Sequence, residues 1–413
     1  MEHYEKQIIT NFSDQDLYSW SVGLVYLQHF PNMYLEYEFF DRNGTLYPNG
    51  FAEEVMHQVR LMDGLGMTDK EICDLSFFTK AYFPSWFFVF LKGLKFISSD
   101  VKFWQDQDGR LHGKISGPAW RVVYWEQPLL AIVSELWHNF LGEYDIYDLR
   151  QEMEYAEFKT ESMIKGGVKF CDMGTRRRFS KEHHERVIDV MRNTALKLDK
   201  EPGAFFGTSN LWLASKYIKD YDHPFKCIGT MSHQFISVCA ALYGPVEANK
   251  VAMKKWYETY YGYLGCYLPD CLGHDAFFKN FSREDAKLWG SQRIDSGNNI
   301  TEFRRFRDAY KDFGVDPRTR GIVFSNALTW ETSIEVHKIV NAEMADTFGI
   351  GTNVTCGMAD TRIKHANIVI KAVSCRLTDR REWLPCVKLS NDITKATGDK
   401  RTIEAYKILL DIK

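Results

Sequence analysis

Long apolar spans, a strong net charge, paired cysteines and glycine-rich nucleotide fingerprints are all missing from this chain, and each absence removes a class of protein. Its 413 residues carry 52 Lys and Arg against 55 Asp and Glu, a formal charge of −3. A general nucleic-acid or membrane-surface binder needs a net basic face, so neither partner is expected. The nine cysteines are odd in number and contain no CxxC, which fits reduced thiols in a cytosolic protein. Cys266, Cys271 and His274 lie closest together, at a spacing poor for zinc. The most apolar stretch, AYFPSWFFVFLKGLKF, is broken by Pro84, Lys92 and Lys95 and falls short of a bilayer. It reads as a buried helix and strand. The opening MEHYEKQIITNF has neither a signal core nor an arginine-rich transit pattern, so the expectation is a soluble, cytoplasmic protein. Neither GxGxxG nor GxxxxGK[ST] occurs, which argues against the common nucleotide folds.

What is present is ordinary globular composition, 45% apolar and 26% charged, over a length sufficient for two or three cores. The first third is mixed. SDQDLYSWSVGLVYLQH reads as a helix capped by Ser13 or Asp14, YLEYEFFDR as a strand, and FAEEVMHQVRLMDGLG as an amphipathic helix stopped by glycine. VKFWQDQDGRLHGKISG reads as a hairpin turning at Asp108-Gly109, and YWEQPLLAIVSELWHNFLG as a long buried helix. From about residue 165 the pattern turns regular. VKFCDMGT, GAFFGTSN, KCIGTMSH, GCYLPDCLG, KLWGSQRIDSGN, GIVFSNAL, TFGIGT and NIVIKAV recur with helical stretches between them. Strands alternating with helices imply a parallel sheet, and about eight units suggest an α/β fold with an irregular β/α barrel; a doubly wound sheet is the alternative.

In such a barrel the strand ends carry the chemistry. Here they read Asp172-Met173-Gly174-Thr175, Gly207-Thr208-Ser209-Asn210, Gly229-Thr230, Asp295-Ser296-Gly297-Asn298, Ser325-Asn326 and Gly349-Ile350-Gly351-Thr352. One such loop would be turn chemistry. Six of them beside Arg176, Arg177 and Arg178 favour a polyphosphorylated ligand, because small residues allow close backbone approach and supply N–H and hydroxyl donors. Arg293 and Asp295 form a second constellation, and Asp295 with Asp270 could grip ribose hydroxyls or Mg²⁺. His233, after a Gly-Thr strand end, is a base, a nucleophile or a satisfied structural group, with structure ahead on these residues alone. His183 and His184 read as an exposed helix face.

The runs DMGTRRRFS, FFGTSNLWLA, IGTMSH, QRIDSGN, IVFSNAL, FGIGTNVT and VIKAV…VKLS, with SDQDLYSWSV and YWEQPLLAIVSEL before them, resemble the nicotinate phosphoribosyltransferase family, in order and over nearly the whole chain. The resemblance implies a mixed α/β N-terminal domain (1–145, completed by the C-terminal strands of 366–413). This packs on an irregular β/α barrel (146–365) that carries the active site. It implies a homodimer with shared active sites. The implied reaction joins nicotinate to 5-phosphoribosyl-1-pyrophosphate as the first step of NAD salvage. Mg²⁺ assists, and ATP is consumed through a phosphohistidine.

By the same resemblance, Tyr18 stacks on the pyridine ring, donated across the dimer, and Met173 stands where an aromatic usually covers it. Arg176 faces the substrate anions. Arg293 and Asp295 hold pyrophosphate or base and the ribose hydroxyls, and Asp270 and Asp295 serve the metal. Gly351 and Thr352 form a phosphate loop, with Ser325 and Asn326 beside it. His233 matches the phosphorylated histidine, and Gln234 follows it where glutamate is common. The Thr208-Ser209 loop offers only neutral groups where amide-using relatives place an aspartate, which favours nicotinate over nicotinamide. The rival readings are a nicotinamide-using transferase, a weakened homologue that only binds ligand, and a Schiff-base aldolase using Lys169 or Lys371.

Overall fold

A computed structural model describes residues 4–198, 204–378, 382–391 and 396–412; Gly203, which opens one of the strand-like runs, lies outside them. Twelve strands occur among the described residues: β1 (Met33–Asp41), β2 (Val101–Gln105), β3 (Leu111–Pro118), β4 (Phe170–Asp172), β5 (Phe205–Thr208), β6 (Lys226–Cys227), β7 (Cys266–Tyr267), β8 (Ser291–Ile294), β9 (Gly321–Phe324), β10 (Ala345–Ile350), β11 (Ile368–Leu377) and β12 (Leu384–Pro385). They build two sheets. One has five strands in the order β12-β11-β1-β3-β2, and the other has seven in the order β6-β5-β4-β10-β9-β8-β7.

The five-stranded sheet is antiparallel. β1 pairs with β11 from Met33↔Leu377 to Asp41↔Ile368, and with β3 on its other edge. Its alternating sequence puts Met33, Leu35, Tyr37 and Phe39 into the core. The β2–β3 hairpin turns where expected, with Gly109 at φ +85°, a left-handed angle that favours glycine.

Every pairing in the seven-stranded sheet is parallel. Helices connect its strands, which places all the C-terminal strand ends on one rim. Stacked Phe170–Phe205 and Phe324–Phe348 rings, with centroids 5.1 and 5.4 Å apart, pack neighbouring strands together. β6 and β7 end the order without pairing each other, so the sheet is a curled half-barrel rather than a closed ring. NIVIKAV, counted above as an eighth barrel unit, becomes β11 of the antiparallel sheet instead. Its ten residues are long enough to cover β1, whereas the barrel strands run two to six.

Three local expectations change. The first helix starts at Tyr18 with no side-chain cap. Ser13 and Asp14 instead turn inward, Ser13 donating to Glu71 Oε1 at 2.6 Å and Asp14 accepting from Arg178. The helix Ser85–Gly93 buries only Phe87 and Leu91, leaving Trp86 and Val89 exposed, and the expected strand after it shrinks to a single bridge between Lys95 and Gly66. His183 and His184 are buried. Their helix, Lys181–Leu198, turns that doublet toward the half-barrel, where His184 Nε2 meets Asp172 Oδ2 at 2.8 Å and His183 Nδ1 meets Tyr147 at 2.8 Å. Among the described residues no helix is long and apolar enough to cross a membrane.

Candidate active site

Three arginines in a row separate because of the turn they occupy. Thr175–Arg177 is a single 3₁₀ turn, in which successive side chains diverge by about 120°. Arg176 enters the cavity at the strand-end rim, its Nη1 3.7 Å from Glu126 Oε1. Arg177 donates from Nε to the Ile368 carbonyl at 2.9 Å, binding the rim to β11. Arg178 points backward and is fully buried, its two Nη groups gripping both Asp14 oxygens at 2.8 and 2.9 Å. That pair anchors the N-terminal segment. Leu17 N–H donates to Ser209 O, and Leu211 and Trp212 N–H donate to Gln15 and Ser13 O, so residues 13–17 are laced onto the β5 loop just before Tyr18.

The cavity has a volume of about 580 Å³ and lies between the half-barrel rim and the inner face of β11. That is the size of a site for a small organic ligand. Ten of the residues picked out from sequence line it: Tyr18, Met173, Arg176, His233, Arg293, Asp295, Ser325, Asn326, Gly351 and Thr352. Tyr18 stands on its wall beside Glu126 and Arg176. Its hydroxyl donates to Glu126 Oε2 at 2.8 Å, and Glu126 also neighbours Arg176, so one carboxylate fixes the ring and the guanidinium together. Met173 can lie flat against β10 because a Cβ on Gly349 would collide with its sulfur.

Thr208, Ser209 and Asp270 stand behind the wall rather than on it. Thr208 Oγ1 donates to Asp172 at 2.6 Å, and Ser209 Oγ to Asp16 at 2.8 Å. The loop read as free of carboxylates is therefore closed over two of them. Thr175 donates to the same Asp16 oxygen at 2.7 Å. Ser209 thus turns its hydroxyl to Asp16 rather than to the cavity.

On the opposite wall, His233 Nε2 lies 2.9 Å from Asp270 Oδ1 and 3.7 Å from Asp295 Oδ2. Burial, with Lys388 nearby, pushes the imidazole down to about 4, so it is neutral at physiological pH. Burial alone would raise Asp270, but His233 and Lys388 beside it hold it well below the usual carboxylate range. Ser296 Oγ donates to its second oxygen at 2.6 Å. Asp295 is likewise held low against burial, by Arg293 first and then His233. Arg293 Nη2 donates to Asp295 Oδ1 at 2.8 Å, and Ser325 Oγ donates to the same oxygen at 2.6 Å. Asn326 Nδ2 caps the Gly297 carbonyl at 2.8 Å. The ligand atoms of His233, Asp270 and Asp295 lie within 4.8 Å of one another, close enough to surround one cation.

Four further residues on the wall had no assigned role or only a remote one: Glu126, Gln234, Lys371 and Lys388. Gln234 accepts from Tyr37 and donates to Glu126 Oε2 at 3.4 Å, joining two groups that an acidic residue could not join without repulsion. Lys371, on β11, is pushed down to about 8 by burial, against Glu126 and with Lys388, Arg176 and Arg42 adding to the fall. Lys388 Nζ stands 3.8 Å from Asp270 Oδ2. Single charges inside the apolar runs VIKAV and VKLS were their only signal. Lys169 lies exposed just before β4, at the far end from the cavity.

A strand-end cavity walled by arginines and lysines, with a neutral histidine set against two ionised aspartates, in an α/β fold, suits a ligand that carries several negative charges. The sequence model of the nicotinate phosphoribosyltransferase (NAPRTase) family matches residues 168–411, and the model of that family's N-terminal domain matches 14–134. Nicotinate phosphoribosyltransferases of Desulforapulum autotrophicum and Chromohalobacter salexigens are each 32% identical, covering 96% and 98% of this chain and 97% and 98% of their own. The crystal structure of the Porphyromonas gingivalis nicotinate phosphoribosyltransferase superposes with a TM-score of 0.91 at 35% identity, over 98% of this chain and all of that one. That of Vibrio cholerae, at 23% identity and a TM-score of 0.87 over 99% of this chain and 95% of its own, shares the fold. The chain belongs to the nicotinate phosphoribosyltransferase family.

Proposed function

We propose that this protein transfers the phosphoribosyl group of 5-phosphoribosyl-1-pyrophosphate to nicotinate, giving nicotinate mononucleotide and pyrophosphate in the cytoplasm, as the first step of NAD salvage from nicotinate. Tyr18 and Met173 flank the pyridine ring, and Arg176 takes the nicotinate carboxylate. Glu126 orients both Tyr18 and Arg176. Gly351 and Thr352, where β10 turns into a short helix, receive the ribose phosphate. Arg293 and Asp295, locked together by Ser325, face the ribose hydroxyls and the pyrophosphate. The ring nitrogen attacks ribose C1 with its own lone pair while the C1–O bond to pyrophosphate breaks, so no general base is required. Arg293 and Lys388 neutralise the leaving charge from fixed positions, which lowers the barrier without reorganisation.

The observation that carries the ATP-coupled form is the His233–Asp270 pair. With Nε2–H donating to Asp270, Nδ1 keeps the lone pair and is the phosphoryl acceptor. Nδ1 attacks the γ-phosphorus as the bond to ADP breaks, and water later hydrolyses the phosphohistidine to phosphate. Glutamine at 234 does not remove this arrangement, because Asp270 supplies the charge that orients the ring. Asp295 and Asp270 are the residues that would hold Mg²⁺, a hard cation suited to carboxylate and phosphate oxygens; when bound it would screen the charge of the leaving pyrophosphate. Two chains form the expected homodimer.

The test is to incubate the purified protein with nicotinate, phosphoribosyl pyrophosphate and Mg²⁺, with and without ATP, and follow nicotinate mononucleotide. Product that rises with ATP, together with an acid-labile phosphate on the wild type and none on His233→Ala, supports the full reading. Product indifferent to ATP removes the coupling and keeps the transfer. No product from folded protein removes both.

A further inference from the structure

Lys159 sits on the outer helix Leu149–Lys165, yet it is 4% exposed. A buried ammonium normally faces a carboxylate. Lys159 makes no ion pair among the described residues. Its Nζ donates to the carbonyl of Asn353 at 2.7 Å and to that of Gly357 at 2.9 Å, and stands 4.7 Å from the Tyr155 ring centroid. Two carbonyls and a ring face thus take up its three donors. Burial pushes it down to about 8, with Glu152, Cys356 and Glu331 opposing the fall.

Both carbonyls belong to the turn that follows β10, and Gly351, Thr352, Asn353, Cys356 and Gly357 of that turn line the cavity. Residues Thr352–Thr355 make one helical turn, too short to satisfy its own last carbonyls. The turn closes tightly: a Cβ on Gly357 would collide with the Asn353 carbonyl oxygen. Two like-oriented carbonyl dipoles meet there, and a cation between them offsets their repulsion. Glu152, two turns earlier on the same helix, accepts the Ala359 and Asp360 N–H groups at 2.8 and 3.2 Å. The helix therefore presents a positive group to carbonyls and a negative group to amides of one loop. That loop is tied to the arginine turn as well, since Thr355 Oγ1 donates to Gly174 O at 2.9 Å and Phe179 N–H donates to Thr355 O at 3.0 Å.

We infer that Lys159 is a positioning residue for the phosphoribosyl donor: it holds loop 351–357 from behind in the shape that receives the ribose phosphate. The inference rests on the reading above that Gly351 and Thr352 take that phosphate. Lys159 touches no substrate; it acts through the backbone of Asn353 and Gly357, and its loss moves the N–H groups facing the cavity.

Steady-state kinetics on the full chain test this with Lys159→Gln, which keeps neutral N–H donors in a similar space, and with Lys159→Met, which keeps none. The Michaelis constant for phosphoribosyl pyrophosphate rises about tenfold in Lys159→Met, within the roughly hundredfold that an ångström-level misplacement can cost, and less in Lys159→Gln, while that for nicotinate stays put. Hydrogen exchange at amides 352–357 speeds up in the same order. If the melting temperature of Lys159→Gln falls while its donor constant is unchanged, and Thr352→Ala raises that constant, the role of Lys159 is structural and the inference is overturned while the loop assignment stands. If neither variant moves the donor constant, both are overturned.

Discussion

At the scale of single residues, the site was legible where chemistry demands a residue type at a strand end. Arg176, His233, Arg293 and Asp295 all reach one cavity wall or the other. Asp295→Ala is expected to leave the melting transition intact and lower turnover by about 10²–10³-fold, the usual loss when one preorganised polar group is removed, as measured by initial rates. A collapsed melting transition would show that Asp295 serves the fold instead. What sequence could not give is facing. The doublet His183-His184 sits in a charged helix, and nothing in SKEHHERV says that the pair turns inward. Glu126 opens an apolar helix and Lys388 interrupts an apolar run, and single charges of that kind usually reach outward to solvent. The buried histidines carry a further consequence. Burial depresses His233 and His274 to about 4 and His183 to about 3, against an ordinary value of 6.5. The unfolded chain therefore binds protons first as the pH falls, and stability drops across the window from about 6.5 down to about 4. Urea midpoints should fall steadily between pH 7 and pH 5, and less steeply in a folded His183→Gln variant.

Elements were recovered more reliably than their surroundings. Alternation in YLEYEFFDR and the Asp-Gly turn gave β1 and the β2–β3 hairpin, because period-2 patterning survives wherever one face of a sheet is buried. By pattern alone NIVIKAV reads as one more barrel strand, because a buried run looks the same in either sheet; only the resemblance assigned 366–413 to the N-terminal domain. The helix Ser85–Gly93 was expected inside on hydropathy alone, and it leaves Trp86 and Val89 in the open. The segment 13–17 was taken for a helix cap because Ser and Asp favour caps, whereas here Asp14 is spent on Arg178. That pair allows a clear test. Asp14→Ala strands a buried guanidinium and should cost about 3–5 kcal/mol, while Asp14→Leu combined with Arg178→Met should cost much less, as read from denaturant midpoints. Equal losses in the two proteins would mean that the segment is held by its backbone bonds to the β5 loop alone.

For the whole molecule, the order of strands and helices announced an α/β architecture, but not the partition of the last strands or the open rim between β6 and β7. Two-residue strands lie below what periodicity can resolve. Assembly is the property to measure at this scale: light scattering on the purified chain should return twice the chain mass, with activity that does not decline on dilution above the dissociation constant. A monomer that is fully active would remove the shared-site expectation. The pairing of β1 with β11 bears on synthesis as well. Ser374 Oγ meets Glu36 Oε2 across 338 residues of chain, so β1 waits on the ribosome until β11 has been made. The half-barrel can collapse early around its local βα units, while the antiparallel sheet pays its loop-closure entropy at the end. Lys371 and Lys388 arrive with that final step. A nascent chain that has not yet made β11 would thus hold a pocket rich in arginine yet lacking both lysines, and the ability to bind substrate would mark the docking of β11 on β1.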